Sequence, residues 1–338
     1  MKLFIKIILL ITILIAIYLA IPRSGSKLLY FPEKNYIEAL ELQDTPISTY
    51  DFKILKLLGA KSGWIRLENS DNSLWSIYKK ALDKQREKSR KIVVFGGDIL
   101  SNILHTIAKQ TNLDYNKLVK KYLDISNYNE GEILARTYYV PYKISEDSVI
   151  SYLLYKSHEV ARNILKNRDV LVPSNDYKNY LTIASLIEKE TQYYPEMPLI
   201  SAVIHNRLKK GMKLQLDASL NYGKNAHKIV THDLITQDSS RYNTYKHKGL
   251  PPSAICSPSV VALKAAVNPA NVDYLYFVKS GKRHTFSKNY REHIVEVREY
   301  KSKLATKTAK KVNNMLMKKI EYNLPQVRPN LKINLPIK

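Results

Sequence analysis

The chain is poor in cysteine, in acidic residues and in repetition. One cysteine, Cys256, in 338 residues excludes an intramolecular disulfide and offers no cysteine cluster for a metal. No metal and no cofactor are expected. That count fits the cytoplasm or an oxidising compartment equally well. Acids number 30 against 54 Lys and Arg, a formal net charge of +24. Such an excess points to an anionic partner: nucleic acid, an acidic membrane surface or another polyanion. Ten of the basic residues fall in the last 38 positions against one acid, so part of the excess is a basic tail. No internal repeat and no low-complexity block is present.

Long apolar runs are concentrated at the start. Leu3–Ile21 (LFIKIILLITILIAIYLAI) carries one charge, Lys6. As a helix it spans roughly 28 Å, close to a bilayer's hydrocarbon core. Lys6 can snorkel to the interface, and Pro22 and Arg23 close the segment. No good Ala-x-Ala site follows, which favours a retained anchor in the lipid bilayer over a cleaved signal peptide. Lys2 and Lys6 before it, and Arg23 and Lys27 after it, leave orientation nearly undecided by charge. An exported bulk removes most of the case for nucleic acid, and none is expected as a partner.

Residues 24–90 read as mixed strands and short helices. Ile92–Phe95 is expected as a short strand, Gly96-Gly97 as a turn and Asp98 as a helix N-cap. Ile99, Leu100, Ile103, Leu104 and Ile107 keep helical spacing, and Asp114 caps a second helix. With the extended ILARTYYVPY after it, this looks like a LysM-type module at about 90–145. Helices follow at 146–167, from Ser174-Asn175-Asp176 onward, and over MPLISAVIHNRLKKG, ending at Gly211. The chain is turn-rich through GLPPSAICSPS, then helical (SVVALKAAVNP), then a hairpin (DYLYFVKS, Gly281, RHTFS) and a charged helix at 287–320.

The stretch LTIASLIEKETQ, 181–192, ends an apolar run with Glu-Lys-Glu. On a helical wheel Leu181, Ile183, Ala184, Leu186 and Ile187 make one broad apolar face. Glu188 and Glu190 fall on its two flanks, roughly 160° apart. They cannot share one site, which excludes them as the adjacent carboxyl pair of a retaining glycosidase. Both acids can simply solvate the helix rim. Alternatively, one sits against apolar walls that raise its pKa into the general-acid range. The wheel does not choose between them.

LTIASLIEKETQ, VIHNRLKKGMKLQLDASLNYG, YNTYKHKGLPPSAICSPS, LKAAVNP, YLYFV and HTF occur in one order with short spacings. Together they resemble the YceG-like (MltG) family of membrane-anchored endolytic murein transglycosylases. The resemblance covers about 181–290 strongly and reaches back loosely to about 90. It implies an α+β protein with an N-terminal transmembrane helix, a LysM-like module and an α+β YceG-like catalytic domain. The corresponding ranges are 1–23 for the cytoplasmic stub and membrane helix, 24–145 for the N-terminal region, 146–300 for the catalytic domain and 301–338 for the basic tail.

The resemblance names Glu188, the first acid of the motif, as catalytic. It suggests Asn206, Gln215, Asp217, Tyr242, Asn243 and Tyr245 as substrate-binding residues. Asn206 and Gln215 suit sugar hydroxyls, although Asp217 serves a turn equally well and the tyrosines can equally fill core. Arg207 is read as pairing with a helix carboxylate, and His284 as structural. Departures are Gln-Leu-Asp-Ala-Ser at 215–219, Ser253 at a glycine position, and GEILARTYYVPY at 131–142 in place of a Glu-Gly-x-Leu-x-Pro-Asp-Thr-Tyr pattern.

The implied reaction needs one carboxyl group. It protonates the oxygen between MurNAc and GlcNAc, then takes the C6 proton as that hydroxyl closes a 1,6-anhydro ring. Expected partners are peptidoglycan glycan strands and peptidoglycan synthases such as penicillin-binding proteins. The location implied is the bacterial inner membrane, single-pass, with the catalytic domain outside the cytoplasm. The rival readings are a non-catalytic wall-binding anchor and a hydrolytic muramidase.

Overall fold

The computed structural model describes residues 2–23, 25, 28–33, 42–43, 45–68, 71–83, 85–226, 229–281 and 283–323. They fall in two compact units, Met1–Asp273 and Tyr274–Lys338.

The first unit begins with helix α1, Lys2–Ala20. Its apolar side chains from Phe4 to Ile17 are exposed all round. Among the described residues no helix is long and apolar enough to cross a membrane. Over Phe4–Ala20, where side chains are described, α1 rises about 25 Å, short of a ~30 Å hydrocarbon core.

Strands β1, Leu28–Phe31, and β2, Gly63–Arg66, pair antiparallel with Leu29 opposite Ile65. Helices α2, Thr49–Leu57, and α3, Leu74–Leu82, cover them. Ser48 and Asp51 close a capping box at the start of α2. Leu29, Phe31, Phe52, Leu55, Leu74 and Ile77 form a small core, with the Phe31 and Phe52 rings stacked at 3.9 Å.

Next, β3, Ser89–Val93, pairs antiparallel with β4, Thr137–Pro141. Helices α4, Leu100–Thr111, and α5, Tyr115–Ile125, lie between them in sequence. This is the strand-helix-helix-strand order expected from periodicity. Asp114 caps α5 by accepting from the Lys117 N–H at 2.8 Å. Asp98 is not the cap expected for α4. Its carboxylate accepts from the Phe95 N–H at 3.3 Å, while the Leu100 N–H is taken by Glu130 at 2.9 Å. A distant acid wins because the Gly96-Gly97 turn folds Asp98 back on its own loop. The strand also lies earlier than Ile92–Phe95, because pairing with β4 starts at Ser89.

Ile92, Tyr138, Leu104, Leu118 and Tyr122 share one core with Val149 and Leu153 of α6, Glu146–Leu165. The boundary expected at 145/146 therefore lies within continuous packing. Each such fully buried aliphatic side chain contributes about 1.5–3 kcal/mol.

The site-bearing helix α7, Asn175–Glu190, starts where Ser174 Oγ accepts from the Tyr177 N–H at 3.1 Å. Its apolar face is buried as the wheel requires, with Ala184, Leu186 and Ile187 sealed from solvent. It packs against α8, Met197–Lys209, and α11, Val260–Val267. Gly211, at φ 62°, ends α8. Between them lie the short helices α9, Asp217–Leu220, and α10, His232–Gln237. The turn-rich segment before α11 is a buried strap. Ile255 N–H donates to Ser185 Oγ of α7 at 3.0 Å, and Ser257 exchanges backbone bonds with Gly97 and Asp98.

The second unit is a hairpin of β5, Tyr276–Ser280, and β6, Arg283–Ser287, followed by helix α12, Tyr290–Asn323. Gly281, at φ 69°, supplies the turn conformation that L residues avoid. The basic tail is described as far as Asn323 within α12; residues 324–338 lie outside the described residues.

Candidate active site

The C-terminal turn of α7 borders a cleft of about 600 Å³. One wall comes from the β3–α4 turn and α4, with Gly97, Leu100 and Asn102; the other comes from Glu190, Asp217, Tyr222 and Ile255. Glu130 reaches in from the loop before β4.

Glu190 lines this cleft. Its Oε1 is buried without a hydrogen-bond partner, while the Ala218 backbone N–H donates to its carboxyl group. Burial, and then the neighbouring Asp217 charge, push its pKa up to about 7. Glu130 is 5% exposed, and burial lifts it to about 7 although the Leu100 and Gly131 N–H groups favour its charged form. Two carboxyl groups in one cleft are thus poised to carry a proton near neutral pH.

Glu188 is placed differently and is not among the residues lining the cleft. Its Oε2 accepts from the Ser259 N–H at 2.9 Å, at the N-cap of α11, where the helix dipole favours an anion. Its other side lies on Gly96: a Cβ there would fall on the carboxyl group. Lys189 Nζ donates to the Gly97 carbonyl at 2.7 Å. The first two members of Glu-Lys-Glu therefore clamp the β3–α4 turn, and Lys189 also lines the cleft beside Glu190.

Of the other residues expected at the site, Asp217 lines the cleft, and Tyr245 OH donates to its Oδ1 at 2.5 Å. Tyr242 stands behind the wall, its ring 4.9 Å from that of Tyr222 and its hydroxyl 2.7 Å from Ser253 Oγ. Ser253 at the usual glycine position thus fixes Tyr242. Asn243 is fully buried and committed within its loop, donating to the Ile235 and Asp238 carbonyls and accepting from the Tyr245 N–H.

Asn206 Nδ2 donates to the Val272 carbonyl at 2.8 Å. Gln215, at φ 51°, gives its N–H to the Thr244 carbonyl. Neither lines the cleft. The Arg207 guanidinium donates to the Leu214 and Lys213 carbonyls. In the second unit the His284 ring meets Phe277 edge-on, as a structural histidine does. Cys256 is buried, and that burial holds its thiol far from reactivity. Among the described residues no group of His, Cys, Asp or Glu gathers that could hold a metal.

Sequence reasoning overlooked Glu130 and Tyr222. The signal for Glu130 was its place before Gly131, which adopts φ 82° and would strike Ala254 with any Cβ. A buried loop of that shape fixes the acid beside it.

The fold and cleft define a mixed helix-and-strand protein with three acids, Glu130, Glu190 and Asp217, lining one cleft. Residues 36–299 match the YceG-like family, and the chain belongs to it. It is 34% identical over 192 residues to the endolytic murein transglycosylase of Bacillus subtilis, covering 54% of this chain and 49% of that protein. It is 32% identical over 157 residues to the endolytic murein transglycosylase of Streptococcus pneumoniae, covering 44% of this chain and 28% of the relative. The chain thus spans about half or less of the length of these curated relatives. The crystal structure of a YceG-like protein from Listeria monocytogenes superposes with a TM-score of 0.51 at 26% identity, covering 79% of this chain and 97% of that one.

Proposed function

We propose that the chain is a membrane-anchored lytic transglycosylase of peptidoglycan, with Glu190 as its acid and base. The observation that carries this reading is Glu190 at the cleft wall, with one buried, unpartnered oxygen and a pKa near 7. A carboxyl group so poised donates its proton to the glycosidic oxygen between MurNAc and GlcNAc. As a carboxylate it then accepts the C6 hydroxyl proton, leaving a 1,6-anhydro end. The sugar's own hydroxyl replaces water, so no second carboxylate is required.

Glu190 takes the role expected of Glu188, whose carboxylate is occupied by Ser259 and Gly96. Asp217, oriented by Tyr245, raises the Glu190 pKa and keeps the proton on it at rest. Asn206, Gln215, Tyr242 and Asn243 support the wall; Tyr222, which lines the cleft, offers the ring for a sugar. The curated relatives' names support the reaction class.

Anchoring is supported by the apolar surface that α1 exposes to solvent from Phe4 onward. The apolar segment Leu3–Ile21 is slightly longer than its described part, and a modest mismatch is absorbed by local bilayer thinning. The β3–α4–α5–β4 module is read as LysM-like, delivering glycan strands to the cleft it walls. Outside the cytoplasm, a partner synthase would supply nascent strands.

The test is digestion of isolated peptidoglycan by the full chain, read by mass spectrometry. Anhydro-MurNAc ends support the reading. Reducing ends would instead favour a muramidase in which Asp217 or Glu130 activates water, an alternative that their place in the same cleft makes specific. No product at all leaves a wall-binding anchor.

A further inference from the structure

The foot of α1 stands in an apolar surface that the proposed reaction does not use. Along α2, Tyr50, Ile54, Leu57 and Leu58 follow helical spacing on its outer side, and every one is exposed, Leu57 to 88%. Along α3, Trp75 and Leu82 do the same, with Trp75 62% exposed. Leu58, Trp75 and Leu82 meet Leu19 of α1 around a hollow of about 580 Å³. The two stripes therefore converge where α1 leaves the domain.

That junction is built firmly. Tyr18 OH donates to Asp51 Oδ1 at 2.9 Å, the Arg23 guanidinium lies over the Tyr18 ring at 5.5 Å, and Leu19 packs on the small core. Exposed Lys53, Lys56 and Lys79 are interspersed along the same elements, with exposed Lys61 in the loop after α2; Asp83 borders the hollow. Exposed aliphatic side chains with Trp, Tyr and Lys among them have the composition of a bilayer interface: rings at headgroup level, stems in the acyl region, ammonium groups among phosphates. A contiguous exposed patch of this kind marks a binding surface.

We infer that the outer faces of α2 and α3 form an interfacial collar that inserts into the anionic bilayer surface around α1, so that the catalytic unit is held against the membrane at two places. The inference rests on reading α1 as an anchor. Continuity with α1 makes lipid the occupant: α1 in a bilayer brings these side chains to the headgroup layer.

The experiment reconstitutes the full chain in vesicles of phosphatidylglycerol and phosphatidylcholine. The chain has only two tryptophans, and Trp64 is buried. The difference between the chain and its Trp75→Phe variant therefore isolates Trp75 emission. The expected result is a blue shift, and a loss of emission when the lipids are brominated near the headgroups, larger in the anionic vesicles and reduced by salt. Trp75 emission that stays red-shifted and open to acrylamide, in a chain that still sediments with vesicles, overturns the collar and spares the anchor. A blue shift that brominated lipids leave unquenched means that protein covers the patch, which also overturns the collar. A chain washed from the vesicles at alkaline pH overturns anchor and collar together.

Discussion

The two flanks of α7's last turn carry the same residue type and use it in opposite ways. On one flank Glu188 is held by the Ser259 N–H at the start of α11 and lies on Gly96. On the other flank Glu190 has a buried oxygen with no partner and an acid beside it, and its pKa rises to about 7. A carboxyl group tied between a helix start and a tight turn serves to hold the two together. A carboxyl group against apolar walls and a like charge keeps its proton until substrate takes it. Each receives a backbone N–H, from Ser259 and from Ala218; burial and the neighbouring Asp217 charge, rather than residue type, set Glu190 apart.

The largest test of this contrast is substitution at each flank. Glu190→Gln is expected to lower peptidoglycan cleavage by about 10²–10⁴-fold, the usual worth of a general acid. Glu188→Gln, whose amide oxygen still accepts from Ser259, is expected to cost less than about 10-fold. Wild-type activity should fall as pH rises through about 7, where Glu190 loses its proton. Equal losses in the two variants, measured as anhydro ends per unit time, would remove the distinction.

Glu130 extends the comparison to stability. Its folded-state pKa of about 7 lies above the ordinary 4.5. The native state thus holds a proton that the unfolded chain releases first. The stabilisation is complete below about pH 4.5 and is lost as pH rises toward 7, by up to about 3 kcal/mol. Glu130→Gln keeps an acceptor for Leu100 and cannot ionise, so its denaturation midpoint should be flatter than wild type between pH 5 and 8. Parallel curves would mean that Glu130 is not held neutral.

Much of this arrangement was legible in the sequence. Period and caps located α4 to α8 and α11, because Asp114, Ser174 and Gly211 do locally what their types do anywhere. The wheel separated Glu188 from Glu190, and that geometry survives in the structure. It was silent on what each flank meets, because Ser259 lies 71 residues from Glu188, and Gly97 lies 92 residues from Lys189, in the bonds that clamp the turn. Asp98 failed as a cap for the same reason, since Glu130 arrives from another loop. Tyr242, Asn243 and Tyr245 carried the right motif, yet their hydrogen bonds run inward to Ser253, loop carbonyls and Asp217, which only the closed loop reveals.

The clamp itself gives a smaller effect. Gly96→Ala pushes a methyl group into the Glu188 carboxyl, so Glu188 must swing away and release the Ser259 N–H. The expected cost is about 1–2 kcal/mol, one hydrogen bond plus a buried donor left unmade. In the Glu188→Ala background the methyl group has nothing to displace. The two substitutions should therefore be non-additive by about 1 kcal/mol in urea denaturation, whereas additive values would show that Gly96 and Glu188 do not depend on each other.

The mildest prediction concerns the residue between the acids. Lys189 is exposed, and its ammonium group donates to the Gly97 carbonyl across the seam between α7 and the β3–α4 turn. A single solvent-facing bond of that kind is worth roughly 0.2–1 kcal/mol. Lys189 also favours the charged form of Glu130. Lys189→Met should therefore leave cleavage within about 3-fold of wild type at pH 6, as expected for a group outside the proton transfer. It should also move the Glu130-linked stability change to higher pH. If instead Lys189→Met abolished cleavage at pH 6, the cation would belong with Glu190 in the chemistry, and the division of Glu-Lys-Glu into a two-residue clamp and a one-residue acid would fail.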